Sequence, residues 1–313
     1  MKDCEKAPYL ELDNYKAPIG IKSNYLKMKD GKRIRLITWN LFNENEGSGT
    51  VLIQQGHNEF IEKYYETIQE FIDRKYNVVA FDWRGQGMSE RMIDDNSKQY
   101  IEDFNIHIDD LEFIIDNIIS KNFNKPLIGI GHSMGGCIML SALELHAEKF
   151  NKIILSAPML GFKSEKLLML LIDIFYLLLP KSFFLPGSKP NMGKETPFSK
   201  NDLTTDEKRY KRTQKLVRLK KDIRLWGITI AWAKAVKKQF KLIRNEEWFK
   251  NIESEILIIN SINDRVVSPK HIIEMAKKLK NTKIINFENC EHEIFMEKDI
   301  HRKKLWNEID NFL

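Results

Sequence analysis

Cysteine is scarce. Cys4, Cys137 and Cys290 are an odd number in 313 residues and lack metal-ligand spacing, so no metal site is expected and a reduced, cytoplasmic setting is the default. The opening residues, Met-Lys-Asp-Cys-Glu-Lys-Ala-Pro-Tyr, contain no apolar stretch of a secretory signal, and Cys4 stands too near the start to be a processed lipoprotein cysteine. Membrane-length apolar runs are missing too. The run from Leu167 to Leu179 is stopped by Pro180 and reaches about 20 Å as a helix, short of a membrane core. Acidic residues are nearly absent from one segment: between Lys208 and Arg244, fourteen Lys or Arg face Asp222 alone, a sum of +13. Since the whole chain is +6, the remainder sums to −7. What is left is a soluble globular composition, 42% hydrophobic and 30% charged, long enough for one large core with an inserted lobe or for two ordinary domains.

The most informative stretch is Pro126 to Gly136. An apolar run leads into Gly131-His132-Ser133-Met134-Gly135, followed by a segment of helical character. This is a G-x-S-x-G elbow in the strand-to-helix context that gives it meaning. The glycines on either side of Ser133 permit a turn too tight for side chains, and the Met134 amide stands at a helix N-terminus, where negative charge is favoured. The bland alternative is a turn whose serine only caps the helix. A dinucleotide fingerprint across Gly129 to Met134 fails, because Met134 replaces the third glycine and the next strand, Lys152 to Ser156, carries no acid for a ribose.

Alternation in Tyr25 to Met28 and Arg33 to Trp39, separated by Asp30-Gly31, predicts an antiparallel hairpin. Beyond it, Val51–Gln54, Val78–Asp82, Leu127–Ile130, Ile153–Leu155, Ile256–Ile259 and Lys283–Phe287 are short apolar runs without alternation, suited to strands buried on both faces. Helical segments at 61–75, 101–120, 137–149 and 270–279 separate most of them. The expected fold is α/β, a mostly parallel sheet flanked by helices. About ninety residues without a strand follow Pro158, so 159–249 is read as an inserted, mainly helical cap on a core of 1–158 and 250–313.

A serine hydroxyl needs a base, and the base an orienting acid. Of seven histidines, His292 follows the last predicted strand by a short loop and should emerge at the C-terminal edge of the sheet, where open α/β sheets hold their sites. Asp264 lies just past another buried strand, before a helix begun by Ser268-Pro269. The order Ser133, Asp264, His292 is that of a nucleophile, acid and base. Glu288 and Glu291, close to His292 in sequence, are competing acids. The oxyanion of an acyl-transfer intermediate needs two amides; Gly56 allows a tight turn after Val51–Gln54, so His57 is the expected donor beside Met134.

These residues resemble the α/β-hydrolases of the monoacylglycerol lipase and lysophospholipase type, grouped with S33-like serine hydrolases. The resemblance runs through Gln55-Gly56, Glu59, Lys63-Tyr64, Asp82-Trp-Arg-Gly-Gln-Gly-Met-Ser89, the elbow, Asn263 to Val267 and His292 to Phe295. It extends into the cap at Pro197 to Asn201, Arg209 to Arg212 and Trp226-Gly227, in the pattern of bacterial lysophospholipases. One departure is Gln55, where many members carry histidine. The resemblance implies hydrolysis of a single-acyl-chain glycerolipid ester through an acyl-serine, without metal or organic cofactor. It puts lysophospholipid first and monoacylglycerol or a general carboxylester second.

The apolar cap helix is expected to line an acyl tunnel or touch an interface, and the basic run 208–244 to attract phosphate or an anionic membrane surface. The bland reading of that run is a solvated helix face. No nucleic-acid motif accompanies it. Two other classes stay open: an S33-like aminopeptidase, which would recognise an amine through acidic residues, and a catalytically silent membrane-binding protein.

Overall fold

Asp30-Gly31 turns the chain back on itself, Gly31 adopting a φ of +86° that L side chains rarely tolerate. The turn pairs β1 (Lys22–Lys27) antiparallel with β2 (Arg33–Trp39), Lys27 opposite Arg33. A computed structural model describes residues 5–163, 165–188, 190, 193–250 and 252–313; Cys4 lies outside the described residues. The apolar runs become β3 (Gly49–Gln54), β4 (Tyr76–Phe81), β5 (Leu127–His132), β6 (Lys152–Ser156), β7 (Glu255–Ser261) and β8 (Thr282–Phe287). The order across the eight-stranded sheet is β1-β2-β4-β3-β5-β6-β7-β8. Only β2 runs against its neighbours; β4, β3, β5, β6, β7 and β8 are parallel to one another.

Chain order reverses direction between β3 and β5. The connection after β3 leads outward to β4 and the one after β5 leads the other way to β6, which opens a crevice at their carboxyl ends. Every residue of β3, β4 and β5 is buried, as strands covered on both faces must be. One core packs α2 (Asn105–Ile114) and α3 (Met134–His146) against the sheet through Ile108, Leu111, Ile138 and Leu143. The opposite core packs α1 (Tyr65–Asp73) through Ile68 and Phe71, and a C-terminal helix through Leu305, Trp306 and Ile309.

Between β6 and β7 lie α4 (Glu165–Leu178), α5 (Glu207–Leu219) and α6 (Ile230–Ile243), before α7 (Pro269–Ala276) and the C-terminal α8 (Asp299–Phe312). α6 is part of the main core, with Trp232, Val236, Phe240 and Ile243 buried beside the residues of α3. α4 packs on α6 through Ile172, Met169 and Phe175. Its other side leaves Leu167, Leu170, Ile174, Leu177 and Leu178 exposed, an apolar stripe at helical spacing. No helix among the described residues is long and apolar enough to cross a membrane.

An ion network fixes the sheet to the turns above it. Arg35 on β2 reaches both oxygens of Glu62 at 2.6 and 2.8 Å and Asp82 at 2.7 Å, with all three side chains fully buried. Asp82 also accepts the amides of Ile61 and Met88 at 3.1 and 2.7 Å. Arg35→Met would leave two buried carboxylates without their cation, and breaking such a group costs about 3–5 kcal/mol. The expected result is a lower urea midpoint at unchanged m-value; an unshifted midpoint would show that the network is not holding this end of the sheet.

Candidate active site

β5 enters α3 through Ser133, whose φ of 49° and ψ of −114° are strained for a residue with a Cβ. The turn is held by backbone: the Ser133 amide donates to Ser156 O at 3.0 Å, and its carbonyl accepts from Cys137 at 3.0 Å and Met159 at 2.9 Å. No room exists for side chains on either side. A Cβ on Gly131 would lie 2.7 Å from Gly136 Cα, and one on Gly135 2.5 Å from the carbonyl oxygens of Gln54 and Gln55. The Ser133 hydroxyl makes no capping bond to α3, which removes the helix-cap reading of this serine.

Asp264, one turn beyond β7, is buried and fully engaged. Its Oδ1 accepts the amides of Val266 and Val267 at 2.7 and 2.9 Å, and its Oδ2 meets His292 Nδ1 at 2.6 Å. Burial alone would raise this carboxyl, but the bond to His292, that ring's charge and the two amides hold it below the ordinary aspartate value. A carboxylate can only accept, so the proton of this bond sits on Nδ1, which leaves Nε2 as the ring nitrogen available to the cavity. The nearby acids do not compete: Glu291 pairs with Arg265 at 2.9 Å, and Asp264 is the carboxylate bonded to the ring.

The turn after β3 abuts the elbow, since a Cβ on Gly56 would lie 3.0 Å from Ser133 Cβ. Its amides are unequally used. Gly56 donates to Glu59 Oε2 at 2.6 Å and Asn58 to Gln86 Oε1 at 3.1 Å, whereas the His57 amide meets no acceptor among the described residues. Met134 opens α3, where the first amides have no partner in the helix ladder. Gln55, the departure noted above, is turned to a structural use: its carbonyl accepts from Trp83 Nε1 at 2.8 Å and its side-chain amide reaches Asp82 at 3.4 Å.

Beneath these groups lies a buried ion cluster to which no role was assigned from sequence. Lys63 Nζ donates to Glu59 at 2.5 Å and to Glu293 at 2.7 Å, and Glu59 also accepts from Tyr64 OH at 2.8 Å. Burial would raise Glu59, yet Lys63 and its other neighbours pull it down to about 2; for Glu293 burial wins and its carboxyl is raised. Glu59 and Lys63 stand four apart and were readable as a pair, but Glu293 is 230 residues from Lys63.

Ser133, His292, His57 and this cluster line a cavity of about 230 Å³, completed by Tyr210, Gln214 and Arg224 from the segment between β6 and β7. Among the described residues helix α4 contributes none of its walls, so the expectation of an acyl tunnel along that helix is not met: its packed side is spent on α6. The basic run is also different in space. Arg209 is held by Glu66, Asp206 and Asp299, Arg212 by Glu66, Arg218 by Glu195, Lys238 by Asp103 and Arg244 by Glu165. Asp173 binds both Lys234 and Lys237. Eight of the fourteen cations, Lys211 with Glu207 included, are thus paired with carboxylates from outside the run, a pairing that a linear count cannot register. No group of acidic, histidine or cysteine side chains able to hold a metal occurs among the described residues.

The family model described as serine aminopeptidase, S33, matches residues 45–299. The probable lysophospholipase L2 of Haemophilus influenzae is 26% identical over 276 residues, covering 84% of this chain and 83% of its own. Lysophospholipase L2 of Escherichia coli is 25% identical, covering 84% and 79%. Among solved structures, a soluble variant of monoglyceride lipase from Saccharomyces cerevisiae in complex with a substrate analog superposes with a TM-score of 0.74 over 97% of this chain and 98% of that one, at 17% identity. The fold is therefore that of the α/β-hydrolases, as expected.

Three buried histidines make the fold sensitive to acid. Burial lowers His57 and His132 to about 4 and His107 to about 3, all below the unfolded value near 6.5. A lowered histidine favours the native state fully above 6.5, and that contribution is lost as pH falls from there towards 4 for His57 and His132 and towards 3 for His107, because only the unfolded chain takes up the protons. Urea midpoints measured across this window should drop steadily, with net proton uptake on unfolding; a flat profile would contradict the neutral assignment.

Proposed function

The chain belongs to the serine aminopeptidase S33 family, and from that premise we propose that it is a serine hydrolase of single-acyl-chain glycerolipid esters, a lysophospholipase before a monoacylglycerol lipase or general carboxylesterase. One observation carries the reading: His292, bonded to the buried Asp264 at 2.6 Å, borders the same cavity as the strained Ser133. In the proposed cycle His292 Nε2 takes the Ser133 proton as the oxygen attacks the ester carbonyl. The oxyanion is received by the His57 and Met134 amides, whose loss individually would cost about 3 kcal/mol. His292 then protonates the departing glycerol oxygen, and a water activated by the same ring releases the fatty acid. Asp264 keeps the ring oriented and balances its charge.

Lysophospholipase L2 proteins match along most of the chain, which supports this substrate class over a peptide. The aminopeptidase reading is weaker on chemical grounds. Glu59 and Glu293 are the carboxylates in the cavity, and both are taken up by Lys63 rather than free for a substrate amine. The volume of about 230 Å³ suits a head group and not an acyl tail, so the segment 159–249 is proposed to act as a cap that opens for the chain. The exposed stripe of α4 supports peripheral contact with a lipid surface, and since more than half of the basic run is paired, that contact should be more apolar than electrostatic.

A fluorophosphonate probe should label the intact protein and not Ser133→Ala; equal labelling of both would overturn the nucleophile. Specificity constants for lysophosphatidylcholine, lysophosphatidylethanolamine, monoacylglycerol and short nitrophenyl esters rank the substrates, and a preference for monoacylglycerol over every lysophospholipid would reverse the order proposed. For the lipid surface, vesicle cosedimentation should persist at high salt and fall several-fold in Leu170→Asp/Leu177→Asp; full release of the wild type by salt would assign the contact to charge instead.

A further inference from the structure

Three cations line the cavity that holds Ser133: Lys63, Arg209 and Arg224. Two are already satisfied. Lys63 lies between Glu59 and Glu293, and Arg209 binds Glu66, Asp206 and Asp299 and also donates to the Glu297 carbonyl at 3.0 Å. Arg224 is different. It forms no ion pair with any carboxylate among the described residues, and its Nη1 reaches only the Gln214 side-chain oxygen, at 3.4 Å. Glu195 and Glu293 act on it through space alone, and burial pulls its guanidinium below the ordinary value. A partly buried guanidinium with most of its five donors uncommitted is costly unless something supplies an acceptor.

Its position is fixed against the reacting centre. Asn58, the residue after His57, grips the backbone next to Arg224 from both sides: Leu225 N donates to Asn58 Oδ1 at 2.6 Å, and Asn58 Nδ2 donates to Leu225 O at 3.1 Å. The turn that offers the His57 amide is thus tied directly to the residue following Arg224. Arg224 also borders a second cavity, lined by Lys98, Lys221, Asp95 and Asp222, in which Lys98 is already paired with Asp95 at 3.0 Å, so Arg224 is the residue shared between the serine cavity and this outer one. A group bound between Ser133 and the uncommitted Arg224 guanidinium, carrying one negative charge and several acceptor oxygens, fits the chemistry of a phosphodiester. A monoacylglycerol has only hydroxyls to offer there.

We propose that Arg224 is the head-group specificity residue, its guanidinium holding the phosphodiester anion of a lysophospholipid while the acyl ester lies at Ser133. The assignment rests on the ester-hydrolase reading of Ser133 and His292. It separates this chain's lysophospholipid preference from a monoacylglycerol preference by a single charged contact.

The test compares wild type, Arg224→Gln and Arg224→Lys, with thermal unfolding to establish that each is folded. The ratio of specificity constants, lysophosphatidylcholine over a monoacylglycerol of the same chain, should fall roughly ten- to hundred-fold in Arg224→Gln and less in Arg224→Lys, as a charge-assisted hydrogen bond predicts. An unchanged ratio, or equal losses on both lipids, would overturn the proposal. Direct titration keeps the question open to an answer if no lipid is turned over. Glycerophosphocholine should bind wild type, and Arg224→Gln at least tenfold more weakly, while glycerol distinguishes neither. Undiminished glycerophosphocholine binding by Arg224→Gln would refute the site whatever the substrate ranking. Tighter binding of inorganic phosphate than of glycerophosphocholine would make it a site for free phosphate and overturn the head-group assignment. Failure of the broader reading looks different: a wild type that prefers monoacylglycerol, or that does not label at Ser133.

Discussion

Lys63 holds the site together. One ammonium, buried at the base of the crevice, meets Glu59 and Glu293, and those two carboxylates belong to loops that arrive from opposite ends of the chain. Glu59 fixes the turn after β3 by accepting the Gly56 amide, and it lies 3.9 Å from His132, the residue before the serine. Glu293 is the neighbour of His292, and its amide is bound by the Leu203 carbonyl of the inserted segment. The turn with the free His57 amide, the elbow and the histidine loop are therefore referenced to one cation. In a low-dielectric setting such a cluster is stiff only while its cation is present, since removal of Lys63 leaves two buried carboxylates uncompensated.

A second constraint is the strain at Ser133. A positive φ at a serine persists only where the surroundings over-determine it, and here the Ser156 carbonyl and the amides of Cys137 and Met159 do so from three sides. The glycines flanking the elbow let α3 start directly against the ends of β3 and β5. Since this is also where the sheet reverses its winding, the serine stands where two neighbouring turns diverge and leave space for a ligand.

Much of this was legible in the sequence, and the reason is periodicity. Runs such as Val78 to Phe81 and Ile256 to Ile259 are apolar without alternation because they are covered on both faces, and all became strands of the sheet. The meeting of Asp264 and His292 followed from where each lies after its strand. Other features depended on contacts that no local pattern encodes. Gln55 gave no sign that it would be directed to Asp82, nor Glu293 that it would join Glu59 through Lys63. The apolar helix α4 was legible as a helix, but its burial on one side only was set by α6, far along the chain.

The pairing of the basic segment has a consequence for synthesis. The carboxylates that clasp it, Glu66, Asp103, Glu165, Asp173 and Glu195, all precede the cations they bind in the sequence; among its partners outside the run, Asp299 follows it. A chain that folds as it leaves the ribosome, N-terminal end first, thus has most of the counter-charges for this block in hand before the block itself is made. Much of the positive stretch therefore need not wait, unpaired, for the last part of the protein to arrive.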